Sequence, residues 1–279
     1  MPATGRSIVP SILVACLVVA VNAGPVAAQQ QPIVAPAPAV PEFLPRFDFH
    51  LSVDRLMRSL TPQQKLVDER FSWDSHFGGS FDLVDYVVGR ATVTIDYEAV
   101  MGSQYRPFDP NQGNYILEAS LSGRVNEMAE GAVIFHHVSR HLSDRPKTFA
   151  VAWNMLGGRF LRRVDAGGTT LDVVLEGGRV VQHSFVDYTW LGEGNLLLRH
   201  PLSSSVGVFA HGTGQVFAVN ETVVLRGSQA GGRIEAGIRL KGRGGAMEIF
   251  GGYEKRVDAY PLDRVPQRWG VAGLRLLSR

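Results

Sequence analysis

The residues best suited to chemistry fall in one short run. His136-His137-Val138-Ser139-Arg140-His141-Leu142-Ser143-Asp144 gathers three imidazoles, two hydroxyls and a carboxylate. On a strand, side chains alternate, so His137 and Ser139 share one face and His136 lies on the other. An imidazole beside a hydroxyl makes a base–nucleophile pair: the ring takes the proton and the oxygen attacks an ester carbonyl. Efficient catalysis also needs a third group, which fixes the tautomer of the ring and stabilises its charged form. The next strand is expected to bring Phe149–Val151 opposite the pair, where there is no carboxylate. Asp144 in the following loop and Glu118 on the preceding strand are the nearest acids. The catalytic set read from these residues is therefore His137 and Ser139 without a completing acid. His136, His141 and Asp144 read as a binding or rim cluster. His137, His141 and Asp144 are also ligand types for a metal. Three histidines so close together read better as a hydrogen-bonded cluster, and neither a metal nor a cofactor is expected.

The elements that must position these residues are strands. Ala91, Val93, Ile95, Tyr97 and Ala99 alternate with Thr92, Thr94, Asp96 and Glu98. Tyr115, Leu117, Ala119 and Leu121 alternate with Ile116, Glu118 and Ser120, and Ile234, Ala236 and Ile238 with Glu235, Gly237 and Arg239. This is the period-two pattern of half-buried strands. Further strands are expected near 128–140, 147–164, 169–177, 179–191, 195–211, 214–226, 245–256 and 267–278. Glycine clusters punctuate them as turns, among them Gly167-Gly168, Gly177-Gly178 and Gly192-Glu193-Gly194. Leu56, Met57, Leu60 and Leu66 fit a short helix. Asn220-Glu221-Thr222 is a formal glycosylation triplet on an expected strand.

The chain has 279 residues, 45% hydrophobic and 19% charged, with a formal net charge of +2. That balance excludes intrinsic disorder and argues against a nucleic-acid partner. Residues 1–28 read as a cleaved signal peptide: Arg6, an apolar run from Ile8 to Val21, then Val26-Ala27-Ala28 before Gln29. The single cysteine, Cys16, falls within that run, so the mature chain would hold no thiol. Residues 29–46 read as a Pro/Ala-rich linker of solvated, extended backbone, and 47–279 as one β domain.

Period two does not say whether the apolar face sees a core or lipid. Strands about ten residues long, full charges on the alternate face and a closing strand from Trp269 to Leu276 favour lipid. The fold expected is all-β: an antiparallel transmembrane outer-membrane β-barrel of about 10–12 strands. Ile95, Leu117, Ile234 and Ile238 would face lipid, while Asp96, Glu98, Glu118, Glu235 and Arg239 would form a lumenal charge network. The alternative is a soluble exported β-sandwich acting as a binding module.

The run Ile134-Phe135-His136-His137-Val138-Ser139-Arg140-His141-Leu142-Ser143-Asp144 resembles a family of uncharacterised bacterial outer-membrane proteins. Their hallmark reads tyrosine or phenylalanine, His, x, Ser, Ser, His, Leu, Gly, Asp, Glu; here Arg140, Ser143 and Arg145 depart from it. That resemblance implies an outer-membrane barrel and no established activity. His137-Val138-Ser139 is also similar to the strand-borne His-x-Ser pair of lipid A 3-O-deacylase barrels, whose glutamate has no counterpart here. The function expected is a non-enzymatic outer-membrane barrel of unassigned activity, either structural or a narrow channel. Its partners would be outer-membrane lipid, including lipopolysaccharide, and the barrel-assembly machinery. The alternative is a lipid A deacylase-like hydrolase using His137 and Ser139.

Overall fold

A computed structural model describes residues 33–58, 69–143 and 149–278. The signal-peptide reading, Asp144, Leu60 and Leu66 lie outside the described residues. Twelve antiparallel strands are described: β1 (Glu42–Met57), β2 (Trp73–Asp85), β3 (Gly89–Gly102), β4 (Asp109–Asn126), β5 (Ala129–Leu142), β6 (Val151–Ala166), β7 (Thr169–Ser184), β8 (Tyr188–Pro201), β9 (Val206–Val219), β10 (Gln229–Lys241), β11 (Gly245–Arg256) and β12 (Gln267–Ser278). Each pairs with its neighbours in sequence, and β1 seals against β12 to close a barrel. No helix among the described residues is long and apolar enough to cross a membrane. Closure leaves no unpaired edge, which is the condition for strands to sit in lipid. The fold is that of an outer-membrane β-barrel.

The two ends differ. Five connections, including Glu127-Met128 and Gly167-Gly168, are two to four residues long and share the end where β1 begins. The other end carries longer segments, such as 220–228 and 257–266. Gly167 and Gly168 have φ of 56° and 81°, the left-handed pair that a two-residue hairpin requires.

The ladder also sets height. One outward row runs Val206, Leu240, Met247, Leu276, Leu51, Phe77, Tyr97, Tyr115, Ser139, Ala152, Ser184, each residue opposite the next. It starts at the turn end of β9 and finishes at the loop end of β7. Rows perpendicular to tilted strands climb in this way around a barrel, and the climb brings Ser139 close to the loop end.

Several expectations are corrected. The glycine pairs Gly177-Gly178 and Gly192-Glu193-Gly194 are not turns. They lie inside β7 and β8, so the four segments expected between 169 and 226 are three long strands. Glycine is needed there for close backbone approach: a Cβ on Gly178 would collide with the Leu156 carbonyl. Leu56 and Met57 extend β1 instead of starting a helix. Asn220-Glu221-Thr222 forms a turn, with the Asn220 side chain accepting from the Thr222 amide at 3.1 Å. The linker reading of 29–46 also fails in part, because β1 starts at Glu42 and residues 33–36 enter the turn-end mouth. There Val34 is 4% exposed against Leu161 and Val174. Arg90 donates to the Ile33 carbonyl at 2.6 Å, and the Ala35 amide donates to Glu130 at 3.1 Å. Backbone groups carried into a lumen must find partners, and these two charged side chains supply them.

Ile95, Leu117, Ile234 and Ile238 face outward, with 41–49% exposure. Their sequence neighbours Asp96, Glu118 and Glu235 are buried inside, and Arg239 reaches Glu248 at 2.9 Å. The lumen is filled by linked charges. Arg233 contacts Asp54, Glu235 and Glu254; Arg275 bridges Glu235 and Glu248; Arg256 bridges Asp74, Glu98 and Glu254.

Candidate active site

β5 divides the histidine run between two environments. Val133, Phe135, His137, Ser139 and His141 point out of the barrel; Ile134, His136, Val138 and Arg140 point in. His136 meets Glu118 Oε2 at 3.3 Å, and Arg159 holds the same oxygen at 2.5 Å. Glu118 therefore serves the lumen and lies on the wrong face of the sheet to reach His137. The rim cluster proposed from the sequence is not one cluster, since His136 is separated from His141 by the strand itself.

The register of the next strand also differs from expectation. Ala152 lies opposite Ser139 and Asn154 opposite His137, in place of Phe149–Val151. A longer connection, 143–150, delays the start of β6. Asn154 points outward in a series that continues with Leu156, Gly158 and Phe160. Its Oδ1 lies 2.5 Å from His137 Nδ1. Its Nδ2 donates to Gln182 Oε1 at 2.8 Å, which leaves Oδ1 as the acceptor toward the ring. His137 Nδ1 must then carry the proton, and Nε2 holds the free lone pair of a general base. The sequence set no third group beside His137; in the structure it is Asn154, a neutral amide, that meets the ring at Nδ1.

Gln182 owes its place to a β-bulge. The β6–β7 register steps from Met155↔Val180 to Asn154↔Gln182, leaving Val181 unpaired. Without that extra residue Asn154 would face Val181, an apolar side chain. Bulges commonly re-aim side chains next to functional sites in this manner.

Ser139 lies between two imidazoles, two residues from each along one strand face. Its hydroxyl is bonded to His141 Nε2 at 2.9 Å. His141 packs edge-on against Tyr115, whose ring lies 5.1 Å from that of Tyr97. On the inner face, Arg140 donates to the carbonyls of Asp258 at 2.6 Å and Ala259 at 2.8 Å. The segment 257–266 is thus pinned over the loop-end mouth by the residue between Ser139 and His141. Within that cap, burial would raise the Asp258 carboxyl. Bonds from Arg226, at 2.7 and 2.8 Å, and from the Tyr188 hydroxyl, at 2.6 Å, outweigh it and hold the group below its ordinary range.

Two inward groups bring metal-ligating residue types together, Asp74–His76–Glu98 and Glu118–His136–Glu176. Arg256 already bridges the carboxylates of the first and Arg159 those of the second.

Sequence reasoning missed Asn154 and Gln182. The available signal was phase: an amide interrupts an apolar outward series one strand away from the His137–Ser139 face.

No family model and no curated protein matches this chain. Among solved structures it is similar to outer membrane phospholipase A from Escherichia coli. That match has 11% identity, a TM-score of 0.49, and covers 84% of this chain and 92% of that one. It is also similar to LpxR from Salmonella typhimurium, at 10% identity and TM-score 0.46, covering 83% of this chain and 99% of that one. A third is Omp33 from Acinetobacter baumannii, at 11% identity and TM-score 0.37, covering 84% and 98%.

Proposed function

We propose that this protein is an outer-membrane serine hydrolase that cleaves acyl esters of membrane lipids. Ser139 is the nucleophile, His137 the general base, and Asn154 the group that orients it. The observation that carries this reading is the bond between His137 Nδ1–H and Asn154 Oδ1 on the lipid face. A polar trio exposed to hydrocarbon is costly unless it is used, and polar residues placed in a membrane are functional-site candidates by default. Short turns mark the periplasmic end of such barrels and longer loops the outside. That orientation sets Ser139 near the outer surface, where ester groups of outer-leaflet lipids lie.

In the reaction, Ser139 Oγ adds to the ester carbonyl while His137 Nε2 accepts its proton. The imidazolium, steadied by the Asn154 carbonyl oxygen, then gives that proton to the departing alkoxide. Water, activated by the same nitrogen, releases the fatty acid and restores the hydroxyl. An amide can hold an imidazole for acyl transfer, as the Cys-His-Asn arrangement of papain-like proteases shows. For this to happen the Ser139 hydroxyl must turn from His141 toward His137, and hydrogen bonds of this kind often tighten only when substrate is bound.

The test is fatty-acid release from outer-leaflet lipids by refolded protein, with fluorophosphonate labelling of the serine. Ser139→Ala and His137→Ala should each abolish both signals, and His141→Ala should retain them. Hydrolysis that survives Ser139→Ala would refute the reading. Loss with His141→Ala and not with His137→Ala would move the base to His141.

A further inference from the structure

Beside the trio, the lipid face carries an arginine whose role the hydrolase reading does not supply. Arg179, on β7, is exposed and points outward, opposite Leu156 on β6 and Trp190 on β8. Both neighbours face lipid, at 51% and 56% exposure. No hydrogen bond or ion pair satisfies its guanidinium among the described residues. Elsewhere the lumen pairs buried arginines with carboxylates, as at Arg233 and Arg275. A charge on the lipid face of a barrel destabilises it to a degree that grows with depth.

The ladder fixes where this charge stands. Arg179 is two strands from His137 and one outward position deeper along the row, through Phe135↔Leu156 and Leu156↔Arg179. With strands about 4.8 Å apart and residues about 3.3 Å apart, its Cα is roughly 12 Å from that of His137. The row climbs toward the loop end from β5 to β7, which offsets the deeper position. Arg179 therefore stands at nearly the membrane height of His137, displaced sideways around the barrel. Immediately below, Gly158, Gly177 and Gly192 lie opposite one another in the next outward row, leaving the surface there free of side chains. Trp190 alongside is the amphipathic residue that favours the headgroup boundary.

We infer that Arg179 is a lipid-phosphate site that holds the substrate while its ester lies at Ser139. The guanidinium matches phosphate with two parallel N–H donors. The side-chain-free row beneath it gives the acyl chains room to lie against the sheet. The substrate class is therefore a phosphorylated ester lipid, and uncharged acylglycerols are poor substrates. This assignment rests on the hydrolase reading for its consequence in catalysis, but not for the binding itself.

The test separates the two. Lipid retention by the Ser139→Ala protein in detergent, read by native mass spectrometry, reports binding without turnover. Phosphatidylglycerol, lipid A, diacylglycerol and inorganic phosphate are the probes. Arg179→Gln should weaken retention of the phosphorylated lipids about tenfold and leave diacylglycerol unchanged, while Arg179→Lys recovers part of the loss. Preference for phosphatidylglycerol or for lipid A identifies the source of the phosphate; retention of inorganic phosphate alone, or of all lipids equally in Arg179→Gln, overturns the site. In the otherwise wild-type chain, Arg179→Gln should raise KM for phospholipid about tenfold with kcat held, and spare a soluble nitrophenyl ester. Equal loss on both substrates would show that Arg179 positions the trio instead. Arg179-dependent retention by a protein that hydrolyses nothing would keep the phosphate site and sink the hydrolase.

Discussion

Asn154 Oδ1 lies 2.5 Å from His137 Nδ1, across a strand pair in which the two residues are direct partners. The contact is on the outside of the barrel, on the outward phase of both strands. Replacing Asn154 with Ala should lower kcat on the order of 10²-fold, within the range general-base catalysis supplies. KM should change little, because in the proposed mechanism Asn154 orients the base and does not hold substrate. Steady-state kinetics on a dispersed ester lipid will check this; an unchanged kcat would remove Asn154 from the mechanism.

Gln182 acts one step further out. Its Oε1 accepts from Asn154 Nδ2 and so keeps the amide from flipping its oxygen away from the ring. Gln182→Leu should reduce kcat about tenfold, a fraction of the general-base effect, and leave thermal stability unchanged. Gln182→Glu, which keeps the acceptor, should restore most of the rate. A fall in stability equal in both variants would mean the bulge, and not the hydrogen bond, was disturbed.

Arg233 is the keystone of the lumenal network, with Asp54, Glu235 and Glu254 around it and 3% of its surface exposed. Arg233→Met leaves buried carboxylates without their counter-charge, which costs about 3–5 kcal/mol. Denaturant unfolding from detergent micelles should show this as a lower midpoint. The paired change Arg233→Met with Asp54→Leu should recover part of it, since a matched apolar replacement removes the stranded charge.

The cap over the loop-end mouth should respond to acid. Asp258 has its carboxyl held below the ordinary range by Arg226 and Tyr188 despite burial. A carboxyl lowered on folding adds stability that is complete above its unfolded value, about 3.9. That stability is lost as pH falls through the lower, folded value. Hydrogen exchange in 257–266 should therefore stay slow at pH 5 and rise only below about pH 4. Arg226→Gln should move that onset upward, and an onset left in place would separate the cap from this ion pair.

The alternation of Tyr115–Leu121 and Ile234–Ile238 was legible as strand, and the charges on their other phase pointed to a wet or ion-paired interior. His137 and Ser139 could be set on one face by counting alone, because strand geometry has a period of two. Turn chemistry was legible only in part. Gly167-Gly168 turns the chain, whereas Gly177-Gly178 lies inside a strand, and the dipeptide is the same. Pairing decides between them: in one case the ladder ends, in the other the opposing Leu156 carbonyl leaves no room for a Cβ.

The sequence by itself determined the all-β class, the outward and inward phases, and the His–Ser pair, since each depends on neighbours a few residues apart. The tertiary structure decided what stands beside that pair. Asn154 reaches His137 through the β5–β6 register, and Gln182 reaches Asn154 only through the unpaired Val181. Register is a property of two strands and the link between them, and a one-residue slip would turn every side chain to the opposite face. Periodicity within one strand carries no record of that choice.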